Sequence, residues 1–209
     1  MEAKRNYQKE LENIIETINN RKTVPKLFLH SCCAPCGSYV LEYLSNYFEI
    51  TLFYYNPNIF PEEEYFKRMR EQERLIRHMP VRNPVHFTQG KYEPEAFFGI
   101  ARGLEDVKEG GERCFKCYEL RMREAALQAK ARTFDYFTTT LSISPLKNAA
   151  KINEIGEAIG REIGVPYLPS DFKKKNGYKR SLELSKAYGL YRQDYCGCMF
   201  SRGGHLVNP

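Results

Sequence analysis

The sequence has 209 residues, of which 42% are hydrophobic and 13% aromatic, enough for one domain with a buried core. No apolar run reaches the roughly 18 residues that a membrane span needs. The charged N-terminus predicts an amphipathic helix instead of a signal peptide, so we expect a cytoplasmic protein with no membrane partner. The net charge of +6 permits a nucleic-acid partner without requiring one.

In the first half of the chain, strand patterns alternate with helix patterns. Residues 1–24 predict an N-terminal helix, and the apolar stretch that ends at Leu29 predicts a short buried strand. Three cysteines follow this strand, and helical spacing then resumes through Leu44. The segment EITLFYYN predicts a second strand. The next segment, PEEEYFKRMREQERLIRHM, predicts a helix because it begins with proline and acidic residues, and PVHFTQ predicts a third strand.

The second half continues the alternation after an interruption. Residues 91–132 predict an insertion, made of a polar, glycine-containing stretch and a helix that carries the second cysteine pair. FDYFTTTLSI predicts another strand. Ser144 and Pro145 predict the N-cap and first residue of a helix that ends at Gly164, and VPYLPS predicts a last short strand. The sequence therefore predicts a single α/β domain over residues 1–209, a mostly parallel sheet flanked by helices.

Seven cysteines fall into three groups along the chain. These are Cys32, Cys33 and Cys36, then Cys114 and Cys117, then Cys196 and Cys198. An odd number of thiols without an export signal argues against a structural disulfide framework, whereas clustered thiols in a reducing compartment hold metal or perform redox chemistry. The first group follows the first predicted strand, and ligands of parallel α/β sheets bind at the carboxyl ends of strands.

The two later pairs each leave more than one interpretation open. Cys114 and Cys117 begin a predicted helix, where backbone N–H groups favour thiolates, and their spacing suits zinc, an iron–sulfur cluster or a redox disulfide. Together with the first group they favour a metal or cluster, although no paired spacing typical of zinc fingers is present. Cys196-Gly-Cys198 can form a small, labile disulfide or supply two metal ligands, and we slightly favour the redox pair.

Candidate substrate contacts lie in two segments. Tyr55, Asn56 and Asn58 follow the second strand beside the first cysteine group, where an aromatic ring can stack on a base, although core packing is the commoner role. Lys173, Lys174 and Lys175 belong to KKKNGYKR, which is either a solvated loop or a contact to a phosphate backbone.

Other basic residues and one histidine extend these hypotheses. The arginines of the third predicted helix would widen the basic surface: Arg68, Arg70, Arg74 and Arg77. His30 precedes the cysteines, and we expect a hydrogen-bonded strand-end histidine in preference to a ligand or proton donor.

Six segments, in this order, resemble the QueH family of epoxyqueuosine reductases: HSCCAPCGSYVL, FYYNPNIFPEEEYFKRM, RCFKCYELRM, FTTTLSISP, SDFKK and YRQDYCGCMFS. The resemblance spans roughly residues 26–202. It implies a reductase that completes queuosine synthesis by removing the epoxide oxygen of epoxyqueuosine at the wobble position of tRNA. It also implies a [4Fe-4S] cluster with an additional iron, and a fold similar to the nucleotide-binding domain of tRNA thiolases. HSCCAPCGS stands where those thiolases carry an SGGxDS loop, so ATP activation is not supported.

Within that resemblance, the grouping of the thiols suggests a division of roles. Removing the oxygen takes two electrons and two protons, and a cluster normally moves one electron at a time, so a second iron or a dithiol is useful alongside an electron donor. The hypothetical roles are these: Cys32, Cys33, Cys114 and Cys117 hold the cluster, Cys196 and Cys198 form a redox pair or bind the second iron, Cys36 joins that iron, and Asp171 and Asp194 are its candidate carboxylate ligands. Cys36 and Cys32 could exchange roles.

Three other classes of protein compete with the reductase. A tRNA sulfur-transfer protein would need a nucleotide-binding loop, and none is visible in the sequence. A zinc-stabilised RNA-binding module would be colourless, whereas an iron–sulfur protein is brown. A thiol–disulfide oxidoreductase acting on proteins would work without metal and would be unaffected by chelators.

Overall fold

The computed structural model describes residues 5–201. The first four residues of the predicted N-terminal helix lie outside the described residues. The helices and strands are α1 (Tyr7–Arg21), β1 (Lys26–His30), α2 (Ala34–Leu44), β2 (Glu49–Tyr54), α3 (Glu62–His78), β3 (Val85–Gln89), α4 (Pro94–Ala101), α5 (Glu112–Ala131), β4 (Tyr136–Thr139), α6 (Ala149–Ile163) and α7 (Gly177–Ala187), with short 3₁₀ turns at Thr140–Ile143 and Met199–Ser201. None of these helices is long and apolar enough to cross a membrane.

The four strands form one parallel sheet in the order β3-β2-β1-β4, which confirms the predicted fold class. The chain runs outward from β1 to β2 and β3, and then returns to place β4 on the other side of β1. The order of the strands therefore reverses between β1 and β4. A reversal of this kind opens a crevice at the carboxyl ends of the two strands.

Apolar side chains cover both faces of the sheet. Alternate residues of β1 point to opposite faces, so Leu27 and Leu29 join a cluster with α1 and α2 while Phe28 packs toward α5 and α6. All three side chains are fully buried. Burial on both faces explains why the strands are continuous apolar runs in the sequence.

One predicted boundary beside the crevice is wrong, the start of the helix that follows β4. Helix α6 begins at Ala149, because the Asn148 side chain caps it by accepting from Lys151 N at 3.1 Å. Ser144 instead starts a turn, accepting from Leu146 N at 3.3 Å, a role that serine before proline also suits. Residues 144–148 are thus a loop beside the crevice.

The predicted last strand is reduced to one bridge between Phe137 and Tyr167. Pro166 and Pro169 lack the N–H groups that a longer ladder needs. The predicted insertion at residues 91–132 contains α4 and α5, which pack together through Phe97 and Cys117.

Candidate metal centre

The first cysteine group occupies the short loop between β1 and α2. β1 ends at His30, Cys33 is the N-cap of α2, and Cys36 lies in its first turn. The Sγ atoms of Cys32, Cys33 and Cys36 lie within 4.8 Å of one another, and those of Cys32 and Cys33 are 3.8 Å apart. Two thiolates on one tetrahedral zinc ion are about 3.8 Å apart, given Zn–S bonds of about 2.3 Å. The spacing of the three thiols is therefore that of ligands to a single ion.

The three thiols of this loop differ in acidity. The thiols of Cys33 and Cys36 donate to Cys32 and hold its pKa well below the usual range, and the positive charges of Lys147 and Arg121 act in the same direction. The pKa of Cys33 is raised to about 12, first by its hydrogen bond with Cys32, and that of Cys36 is also raised. Cys32 is thus the first to become a thiolate, the form that binds metal.

The other four cysteines surround a smaller cavity. Cys114 and Cys117 lie in the first two turns of α5, and Cys196 and Cys198 lie in the loop after α7. Burial raises the pKa of Cys117 to about 12 and also raises that of Cys198. The backbone N–H of Gly110 donates to Cys114 Sγ at 3.3 Å.

The Cys196–Cys198 loop is fixed by the segment after β2. Phe60 N donates to the carbonyl of Gly197 at 2.9 Å, and Arg68 Nη1 donates to the carbonyl of Cys196 at 3.1 Å. Gly197 has φ 108°, a conformation that glycine adopts without strain. Its Cβ position would lie 2.9 Å from Arg68 Nη1, so a side chain at this position would crowd the loop.

A larger cavity of about 370 Å³ brings thiols of the first and third cysteine groups together at the strand-order reversal. Cys32 and Cys36 border it from the β1–α2 loop, and Cys196 borders it from the loop after α7. Asp194 also lines this cavity, whereas Asp171 is not among the lining residues and pairs with Lys173 at 2.7 Å.

Two cations that the sequence did not point to face these thiols. Arg121 is 1% exposed and lines both cavities. Burial acts to lower its pKa, but negative charge on the sulfurs of Cys117, Cys196 and Cys32 acts to raise it, and the net direction is upward. Lys147 lines the larger cavity. Burial acts to lower its pKa, but negative charge on Cys196, Cys32 and Cys36 acts to raise it, and the net direction is again upward.

A sequence signal for Arg121 was available. Cys114, Cys117 and Arg121 recur at helical spacing, which places them on one face of α5. The prediction that Arg68 lies on a basic surface is wrong, because its side chain is 2% exposed and binds Glu64 at 2.7 Å. Arg74 pairs with Glu71 at 2.9 Å and stays near the surface.

The predicted substrate residues are scattered around the site. Tyr55 stacks on Phe53 with ring centroids 5.9 Å apart and lines a separate cleft. Asn58 lines the smaller cavity, while the buried amide of Asn56 bonds to Ser31 and Arg121.

The basic segment before α7 is only partly free of ion pairs. Lys173 pairs with Asp171 and Lys175 pairs with Glu12 at 2.5 Å. Lys174 is exposed and has no ion pair within residues 5–201.

His30 matches the expected structural role. Its Nδ1 is 2.8 Å from Thr139 Oγ1, its Nε2 is 3.1 Å from the carbonyl of Tyr55, and the ring is fully buried. Burial, with the nearby charge of Arg121, lowers its pKa to about 3, so the imidazole is neutral at neutral pH.

Fold and site together define a cysteine-rich α/β protein whose thiols occupy the ligand-binding end of a parallel sheet. The family model of the epoxyqueuosine reductase QueH matches residues 27–203. The chain belongs to this family of oxidoreductases, as the sequence motifs suggested.

Curated relatives agree with the family match. The chain is 42% identical over 200 residues to the epoxyqueuosine reductase QueH of Staphylococcus epidermidis, covering 94% of this chain and 84% of that protein. It is 34% identical over 181 residues to the QueH of Thermotoga maritima, covering 84% of this chain and 89% of that protein.

A solved structure shares the fold. The U34-tRNA thiolase NcsA from Methanococcus maripaludis, determined with its [4Fe-4S] cluster, aligns with a TM-score of 0.52 at 13% sequence identity, covering 92% of this chain and 67% of that chain. This likeness confirms the expected similarity of fold to tRNA thiolases.

Proposed function

We propose that this protein reduces the epoxide of epoxyqueuosine in tRNA to the alkene of queuosine, the last step of queuosine synthesis, and that it works in the cytoplasm, where thiols stay reduced. One observation carries the proposal: thiols from two distant segments, Cys32 and Cys36 on one side and Cys196 on the other, border one cavity at the strand-order reversal. Family membership supplies the class of reaction.

The donor set of the site fits iron–sulfur chemistry. All seven cysteines are free thiols, and soft thiolates are the ligands of iron–sulfur clusters. In this proposal Cys32, Cys33, Cys114 and Cys117 hold a [4Fe-4S] cluster, and a second iron or a redox dithiol involves Cys36, Cys196 and Cys198. When bound, these groups supply electrons one at a time and a Lewis acid for the epoxide oxygen. Asp194 is a better placed carboxylate for the second iron than Asp171, because it lines the cavity.

The spacing of the thiols supports a second assignment of the same cysteines to the cluster and to the single iron. Cys32, Cys33 and Cys36 are close enough together for one ion, whereas the thiolates of a cluster each bind a different iron and need wider separation. In this version the first group holds the single iron, and Cys114, Cys117, Cys196 and Cys198, which share the smaller cavity, hold the cluster.

The chain's own residues bind and orient the substrate. Reduction of the epoxide consumes two electrons and two protons and releases the oxygen as water. The ammonium of Lys147 lines the cavity, and in this proposal it donates a hydrogen bond to the departing oxygen and stabilises the negative charge that develops there.

The size of the cavity constrains how tRNA is presented. About 370 Å³ accommodates a single modified base and no folded RNA, so the wobble nucleotide leaves the anticodon stack and enters the cavity. Lys173, Lys174 and Lys175 are proposed contacts to the tRNA backbone. Asn58 and Tyr55 do not line this cavity, because Asn58 lines the smaller cavity and Tyr55 lines a separate cleft. Lys174 is the strongest of the three lysines, because the other two are paired with carboxylates.

Anaerobic purification tests the proposal. The protein is analysed for iron and sulfide and then incubated with tRNA bearing epoxyqueuosine and a low-potential chemical reductant in place of the electron donor. Roughly four or five irons per chain with conversion to queuosine are expected. Zinc without sulfide, together with unchanged epoxyqueuosine, would reject the reductase in favour of a zinc-stabilised RNA-binding module.

A further inference from the structure

We infer that Arg121 is the internal counter-ion of the cysteine site, and that its fixed positive charge raises the reduction potential of the cluster held there. This inference rests on the iron–sulfur chemistry of the proposed function.

The bonding of Arg121 leaves its charge uncompensated by the protein. Its side chain is 1% exposed, with Nε donating to the carbonyl of Cys117 at 3.1 Å and Nη1 to Oδ1 of Asn56 at 3.3 Å. Both partners are neutral. Nη2 is buried and has no hydrogen-bond partner within residues 5–201.

No carboxylate in the described part of the chain pairs with Arg121. Glu109 lines the same two cavities, but it is exposed and forms no ion pair with the guanidinium. An arginine does not lose its proton in a protein, and a buried charge without a counter-ion is strongly unfavourable. A negative group must therefore lie beside Arg121 in the working protein.

The thiolates of the site are the groups that can supply this negative charge. Cys32 and Cys196 line the larger cavity together with Arg121, Cys117 lines the smaller cavity with it, and the three cysteines come from separate segments. The bonds to the Cys117 carbonyl and to Asn56 fix the guanidinium between these segments. The unpaired Nη2 donor remains available to a sulfur atom.

A fixed cation beside a cluster has a measurable effect. Reduction by one electron adds one negative charge, and positive charge and hydrogen bonds near the sulfurs stabilise the reduced form. Removing the charge of Arg121 should therefore make reduction less favourable without removing any ligand. A merely structural role for Arg121 would not shift the potential in this direction.

The helix that carries Arg121 also offers a matched control. Arg123 lies two residues further along α5, but it is near the surface and pairs with Glu162 at 2.5 Å and Glu119 at 3.1 Å. Arg121→Gln and Arg123→Gln remove the same charge from the same helix. Arg121→Lys keeps the charge while losing the planar fork of donors.

The experiment measures the midpoint potential of the anaerobically purified holoprotein by a spectroscopic redox titration, after iron and sulfide counts. For Arg121→Gln we expect a more negative potential, with the reduced-to-oxidised ratio about tenfold lower at a fixed potential, which is about 59 mV for one electron. Arg121→Lys should lie between this variant and the wild type, and Arg123→Gln should match the wild type.

The other outcomes of the potential and iron measurements each support or overturn the inference. An unchanged potential in Arg121→Gln with full iron content overturns the inference. Loss of iron from Arg121→Gln alone supports it, because the thiolates then need the charge to assemble. Equal loss from Arg121→Gln and Arg121→Lys overturns it, since the role would be hydrogen bonding. A wild-type protein without iron and sulfide rejects the proposed function itself, and the inference with it.

Discussion

Arg121 Nη1 donates to Oδ1 of Asn56 at 3.3 Å, and this contact joins helix α5 to the end of strand β2. Asn56 extends the link, because its Nδ2 donates to the carbonyl of Ser31 at 2.9 Å, immediately before the first cysteine group. Arg121 also binds the carbonyl of Cys117. One amide and one guanidinium thus hold two cysteine-bearing segments in a fixed relation.

Replacing Asn56 should weaken that link. Asn56→Ala leaves the buried Ser31 carbonyl and an Arg121 donor unpaired, so the free energy of unfolding should fall by about 1–3 kcal/mol. Urea denaturation of the anaerobic protein measures the change. Asn46→Ala is the control, because Asn46 is exposed and bonds only to backbone carbonyls of its own helix region. Equal losses in the two variants would contradict a special role for Asn56.

Iron and sulfide counts of two cysteine variants distinguish the two divisions of the thiols. If Cys32, Cys33, Cys114 and Cys117 hold the cluster, Cys33→Ala loses most iron and sulfide while Cys198→Ala keeps the sulfide. If the first group holds a single iron, the pattern reverses, and Cys33→Ala loses about one iron and no sulfide. Retention of full iron and sulfide in both variants would be incompatible with either division.

Much of the fold could be predicted from sequence, because buried parallel strands are short apolar runs bounded by turns. The strand that ends before Cys32 is an example, and the helix predicted to begin at Cys114 begins two residues earlier, at Glu112. The start of α6 could not, since Ser144 before Pro145 suits a turn as well as a helix cap, and the choice depends on Asn148.

The site was less predictable than the fold. Spacing along the chain identified the cysteines, but distances between segments depend on tertiary packing. Cys196 and Cys198 line the same small cavity as Cys114 and Cys117 although about eighty residues separate the pairs. Arg68 is predicted on the surface because arginine side chains are mostly exposed. Only its partners in the structure, Glu64 and the carbonyl of Cys196, explain its burial.

Arg68 should prove essential for the position of the Cys196 loop. Arg68→Met removes the donor to the Cys196 carbonyl and leaves Glu64 without its 2.7 Å partner, so we expect a loss of about 3–5 kcal/mol in stability and reduced metal content. Adding Glu64→Gln should recover part of the stability but not the metal. Arg77→Met on the same helix is the control, because Arg77 is 74% exposed and its ion pair is 4.0 Å long.

The attachment of the loop after α7 to helix α3 should depend on pH, because Glu71 of α3 binds this loop. This carboxylate accepts from Arg74 and from Tyr191 N at 2.8 Å, and these contacts, led by Arg74, hold its pKa below the usual value of 4.5. The folded state therefore binds this proton less readily than the unfolded state. The stabilisation is complete above about pH 4.5 and is lost as the pH falls through the lower, folded pKa.

Comparison with Glu71→Gln measures this contribution. The variant should be about 1 kcal/mol less stable than the wild type at pH 7, and the difference should shrink as the pH falls below 4.5. Urea midpoints across this range give the difference, and any acid loss of metal common to both proteins cancels. A difference that stays constant with pH would show that the charge of Glu71 contributes nothing.

Gly197 should set the geometry of the pair of cysteines that flank it. An alanine at this position would take φ 108° and would place its Cβ 2.9 Å from Arg68 Nη1 and 3.0 Å from Ile59 Cγ1. Gly197→Ala should therefore lower the stability by about 1–3 kcal/mol and should also lower the metal content, since relieving the crowding moves the loop.

Gly189→Ala separates the effect of backbone strain from that of crowding, because Gly189 has φ 55° but open space around its Cβ position. It should lose only about 1–2 kcal/mol and keep its iron. If both variants keep their iron, Arg68 absorbs the crowding at Gly197, and metal binding does not depend on a glycine at this position.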